Sequence, residues 1–258
     1  YPHFYPQTNF LNRGDVNQKK EVVSQSFLQV LMPAAKTEKN WLVTPPKGWD
    51  RTSFRRASLA NWITDADAGA GQLAARIIVN RLWQHHFGRG IVSTPNDFGF
   101  PGERPTRPAL LDWLALNLIE GDWKLKRMHK LMMTSSVYMQ SGEHDQSRAK
   151  IDRENVWFWR RVPQRLEGEA IRDAMLAVSG QLDRKMFSPG TLDQNMKRRS
   201  IYFFIKRSKL IPMMMLFDWP EHLVSIGQRT STTVAPQALM FMNSKQGRSY
   251  AESFAETL

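Results

Sequence analysis

The sequence contains no cysteine. That absence removes disulfides, a thiolate nucleophile, cysteine-based zinc or iron–sulfur sites and covalent c-type haem attachment from the chemistry of this chain. It does not decide the compartment. No apolar run approaches the roughly 20 residues of a membrane helix, and the longest candidate, IPMMMLF at 211–217, is far too short. No internal repeat or low-complexity tract is visible. The opening YPHFYPQ lacks an initiator methionine, as expected of a piece of a longer, processed protein. Acidic residues are also scarce, 24 against 36 Lys and Arg, for a net charge of +12. Such a surplus favours anionic partners: nucleic acid, acidic polysaccharide, an acidic neighbouring domain or a membrane surface. The plainer alternative is a basic surface with its charges spread out. The cations fall in pairs (Arg55–Arg56, Arg160–Arg161) and one triplet (Lys197 to Arg199), with no long tract.

What is present is enough for a core. Hydrophobic residues make up 41%, with nine Trp and fourteen Phe. The spacing predicts a mainly α fold with one to three short strands. Residues 1–56, rich in Pro, Gly and Asn, read as an extended N-terminal arm packed on the core, and 57–258 as one helical domain. Helices are predicted over RASLANWIT, QLAARIIVNRLWQHHF, ALLDWLALNLIE, KLKRMHKLMMTSSVYMQS, LEGEAIRDAMLAVSGQLD, and a last one from about Pro236. RRSIYFFIKRS reads as a strand by its β-branched and aromatic content.

The stretch VNRLWQHHFGRG raises the functional question. At about 100° per residue, His85 and His86 both fall in the apolar arc of their helix, while Arg76, Asn80 and Gln84 form a separate polar stripe. The histidines either pin the end of a core helix, where the dipole favours cations, or carry chemistry. Adjacent positions diverge too far to share a metal on a helix, where ligands stand four apart, so no metal site is expected. Buried members of the polar stripe need partners. Those are expected in the last third of the chain, near Arg207 or Thr232, or in an open cleft. His86 is expected to point toward Asp97, whose carboxylate would raise its pKa. Asp97-Phe98-Gly99 matches a kinase metal motif in three letters only. Its physical reading is a turn. The three methionines at 213–215 read as packing side chains.

The stretches LAARIIVNRLWQHHFGRGIVSTPNDFG, RPALLDWLA, WKLKRMHKLMMTSSVYMQS, LEGEAIRDAMLAVSGQLD, RRSIYFFIKR and TTVAPQALMFMN, in that order, resemble a family of unknown function found mainly in planctomycetes and related bacteria, domain of unknown function number 1553. The arm stretch FLNRGDVNQKKEVVSQSFLQVL is similar as well. The motif positions that match are Arg76, Asn80, Arg81, Trp83, His86, Phe87 and Gly88; Pro95, Asp97, Phe98 and Gly99; Arg172 and Asp173; Arg199, Arg207, Thr232, Thr233, Pro236, Gln237, Ala238 and Asn243. The loop before the long helix departs from the family's pattern, since DADAGAGQLAAR lacks its proline.

The resemblance implies the C-terminal domain of a large exported protein, periplasmic or extracellular, preceded by a partner domain and often a cytochrome c domain. Haem c would then sit in a separate domain, and no cofactor is expected in this chain. Two readings follow. In one, the domain helps form the cleft of a haem-linked oxidoreductase acting on polysaccharide or sugars, with His86 and Asp97 catalytic and Arg76, Asn80, Arg81, Arg207, Thr232 and Thr233 binding ligand. In the other, it is a non-catalytic basic module that binds acidic or sulfated polysaccharide or docks an acidic partner domain. Nucleic-acid binding ranks below both, because no recognised motif accompanies the charge.

Overall fold

The computed structural model describes residues 7–49, 51–220 and 223–256. Part of the expected arm, residues 1–6 and Asp50, lies outside the described residues. The fold is mainly α: ten α-helices and one two-stranded sheet are found among the described residues. The chain divides into two compact units, residues 1–161 and 162–258.

The first unit begins with β1 (Thr8–Leu11) antiparallel to β2 (Lys19–Val23), with Thr8 opposite Val23 and a register irregularity between Asn9 and Leu11. Then come α1 (Arg55–Thr64), α2 (Gly71–Phe87), α3 (Pro108–Glu120), α4 (Leu125–Met133), α5 (Ser136–Met139) and α6 (Gln146–Ile151). Helix α2 packs against α1, α3 and α4. Its buried side chains Ala75, Val79 and Trp83 join Leu111, Leu114 and Leu118 of α3 and Met128 and Met132 of α4 in the main core. The helix is not apolar all round, however. Arg81 and His85 are exposed, and Ile78 and Leu82 only half-buried. It ends at Gly88, whose φ of 84° is the left-handed closure that glycine adopts at little steric cost.

A smaller core ties residues before α1 to that helix. Phe27 stacks on Trp62 with centroids 5.3 Å apart and meets Trp41 edge-on. The Trp41 indole donates to Asp65, which also accepts from the backbone of Asp67 and Ala68. These bonds outweigh the effect of burial and hold the Asp65 carboxyl below its usual range.

The second unit holds α7 (Gly168–Val178), α8 (Pro212–Leu216), α9 (Ala235–Asn243) and α10 (Lys245–Ala255). Its core gathers Met196, Phe203, Ile211, Met213, Met214 and Phe217. Two of those methionines stand in the run at 213–215.

Two expectations need correction. RRSIYFFIKRS is not a strand. Residues 200–202 form a single 3-10 turn, flanked by isolated bridges between Asp183 and Arg198 and between Thr191 and Phe203. The cause lies in α7, where Asp173 accepts both the backbone N–H and the hydroxyl of Ser200. A ladder partner for that peptide is thereby displaced. The helix expected across KLKRMHKLMMTSSVYMQS also breaks in two. The Ser135 hydroxyl caps α5 by accepting from the Tyr138 N–H, 3.3 Å away.

Candidate functional site

The polar stripe of α2 meets the loop that follows the same helix. Asn80 is fully buried, and its amide pairs with both sides of Val92: Oδ1 accepts from Val92 N–H at 2.8 Å, and Nδ2 donates to Val92 O at 3.0 Å. Gly90 makes this approach possible, because a Cβ there would stand 2.4 Å from Val92 O and 2.8 Å from the Asn80 amide. Arg81 reaches the same loop, donating to Asn96 Oδ1 at 2.8 Å. Asp97 closes a turn on itself, with Oδ1 accepting from Gly99 N–H at 2.9 Å. Arg76 pairs instead with Asp112 of α3 at 2.9 Å, beside a recess of about 110 Å³ lined by Gln72, Arg76, Asp112, Ala115, Leu116 and Ile119. Arg76 and Asn80 thus find these partners within the first unit, Arg76 beside the recess; the expected alternatives were the last third of the chain, near Arg207 or Thr232, or an open cleft.

His86 does not meet Asp97. Its Nε2 lies 2.8 Å from Nδ1 of His129 on α4, a hydrogen bond in which one ring donates and the other accepts. The Tyr138 ring of α5 stands edge-on to His86 at 5.7 Å. Over that ring, 4.0 Å from its centroid, lies the Arg161 guanidinium, which also faces Phe87. Burial pushes the His86 pKa below its ordinary value, and the neighbouring His129, Arg161 and His85 push the same way. The expected rise is thus reversed: burial is the largest cause, and the neighbours add to it where a carboxylate was anticipated to oppose it. His85, one residue earlier, is exposed.

The second unit has a polar set of its own. Arg172 is 2% exposed and donates to the carbonyls of Arg198 and Met196 and to the Ser200 hydroxyl, with its guanidinium 4.7 Å from the Phe203 ring. Asp173 takes Ser200 and is approached by Arg199 at 3.3 Å. Asp218 accepts from the backbone and hydroxyl of Thr232 and pairs with Arg165 at 2.5 Å. Those contacts, the Thr232 backbone first, hold its carboxyl below the usual range. Buried Gln237 donates to the carbonyls of Leu216 and Thr232, while Arg229 bridges Glu167 and Glu169. Arg207 and Thr233 are exposed.

The structure thus brings Asn80 and Arg81 of α2 to the loop that carries Asp97, pairs His86 with His129 instead, and places Arg207, Thr232 and Thr233 in the other unit. Sequence reasoning missed His129, Tyr138 and Arg161. His129 lies between Met128 and Met132, the two buried methionines of α4, which is the signal that it faces inward. Among the described residues, no group of three or more His, Asp or Glu side chains is arranged to hold a metal ion. No described helix is long and apolar enough to cross a membrane.

Comparison with known protein families gives a match over most of the chain. The sequence model of PSD1, protein of unknown function (DUF1553), covers residues 55–258. Neither a curated protein nor a solved structure matches.

Proposed function

The chain belongs to the PSD1 (DUF1553) family, and on that premise we propose that it is a non-catalytic basic module which holds an anionic polymer, an acidic or sulfated polysaccharide, within an exported multidomain protein. One observation carries this reading. Every lysine of the chain is exposed, and among the described residues only Lys124 takes part in an ion pair. Several motif side chains are meanwhile engaged in holding the fold: Asn80 on Val92, Asp97 on its own turn, Arg172 on two carbonyls and a hydroxyl. Polar groups committed in this way rigidify a fold and are not poised on a substrate. Unpaired surface lysines attract polyanions through screened, long-range forces.

Immobilised dextran sulfate tests the reading. Binding should be evident at low salt and fade as sodium chloride shortens the Debye length from about 10 Å at 0.1 M to about 3 Å at 1 M. Absence of binding at low salt sinks it. Tighter binding to duplex DNA than to any sulfated polymer would move the assignment to nucleic acid.

A second reading, the cleft of a haem-linked oxidoreductase, is favoured by the His86–His129 bond, which can relay a proton near neutral pH. It requires His129→Gln to abolish turnover of the full-length protein without lowering its melting temperature.

A further inference from the structure

The end of α2 gathers three imidazoles around one guanidinium. His86 and His129 share a hydrogen bond, His85 adjoins them, and Arg161 is stacked against Tyr138 beside them. Among the described residues no carboxylate forms a hydrogen bond or ion pair with His86, His129 or Arg161. The Arg161 Nη1 is buried without a hydrogen-bond partner. An arginine cannot shed its charge, and a buried donor left unpaired is expensive. The C-terminal dipole of α2 offsets only part of such a charge and acts within the last turn. Arg165, which also has one buried nitrogen without a partner, meets Asp218, and Arg229 meets two glutamates. The cluster lacks the component that those two sites have, an anion.

We propose that His86, His129 and Arg161 form an oxyanion subsite, which takes a sulfate ester or a carboxylate of an acidic sugar. The planar guanidinium suits two oxygens of either group, and the Tyr138 ring beneath it fixes its plane. The imidazoles provide the remaining donors. All three side chains are half-buried, which separates this site from the freely exposed lysines: those attract a polymer, and this cluster reads the acidic group it carries. The anion would also lift the His86 pKa, working against the burial and the neighbouring groups that now lower it. The groups that bear on His86 are His85 on its own helix, His129 on α4, Tyr138 on α5 and Arg161.

The inference rests on the reading of the chain as a polyanion-binding module, and the experiment separates the two. The 258-residue chain is titrated with a glucose sulfate monoester and, separately, with glucuronate, each against sodium chloride at equal ionic strength. The imidazole signals of His86 and His129 are followed by NMR. A saturable shift with at least one probe, and a raised His86 titration midpoint, are expected, and the probe that acts identifies the group. Arg161→Gln should weaken this response about tenfold or more, and Arg161→Lys should restore part of it. If Arg161→Gln does not fold, His129→Gln carries the same expectation. The proposal is overturned if neither probe gives a saturable shift, or if the folded variant responds as the parent does. Dextran sulfate binding that persists without any His86 response removes the subsite and leaves the module. A His86 response without polymer binding does the reverse.

Discussion

Asn80 shows how a motif residue can be indispensable without touching a ligand. Its amide is the only side chain paired with the Val92 peptide among the described residues. Asn80→Ala leaves both peptide groups of Val92 buried and unpaired, at about 1–3 kcal/mol each. Gly90→Ala reaches the same end by collision, since the new Cβ enters the space of Val92 O. Both variants should shift denaturant midpoints strongly, and a surface-like change below about 0.5 kcal/mol would contradict the pairing. His86 makes a prediction about pH. Its folded pKa lies below the unfolded value of about 6.5. The unfolded chain therefore binds more protons between those two values, and stability falls as pH drops below about 6.5. The geometry gives the same sign once both rings are protonated, because two N–H groups would then face each other across the His86–His129 bond. Thermal melts should show a decline below about pH 6.5 that His86→Gln removes. A melt independent of pH across that range counts against a neutral pair.

Among the elements, legibility followed the locality of the cause. Helix α2 was readable from periodicity and from Gly88, and α3 from its apolar stripe and the proline at its first turn. The depth of α2 burial was not legible, because periodicity reports which residues are apolar and not how many neighbours surround them. Val79 and Trp83 are buried, yet Ile78 is half-exposed. Leu118→Ala, at a site 1% exposed, should accordingly destabilise by about 2–5 kcal/mol, and Ile78→Ala by clearly less. Equal losses in chemical denaturation would mean that the burial pattern is wrong. The segment 198–208 failed for the opposite reason. Its β-rich composition is local, but the backbone there is claimed by Arg172 and Asp173 from a helix some 25 residues earlier. The histidine cluster was hidden likewise: His86 was visible, whereas His129 and Arg161 reach it from separate elements.

At the level of the molecule, the two units each carry a core. Of nine tryptophans, only Trp219 lies beyond residue 161. Tryptophan fluorescence thus follows the first unit, while far-UV circular dichroism follows helices of both. The second unit, whose core cluster among the described residues has six buried side chains against twelve in the main cluster of the first, should lose structure at lower denaturant. The dichroism transition should then begin before the fluorescence transition. Coincident curves would instead indicate a single cooperative molecule.

The Asn80–Val92 pairing also sets a lifetime. Val92 belongs to no sheet, yet both sides of its peptide are occupied as a middle strand's would be, and the neighbouring Ile91 carbonyl is taken by Thr106. The partner is a side chain of α2, so the Val92 amide hydrogen can exchange with water only when that helix opens. A Pro- and Gly-dense loop would thereby contain one proton as slow as those of the core, its clock kept by a helix twelve residues upstream.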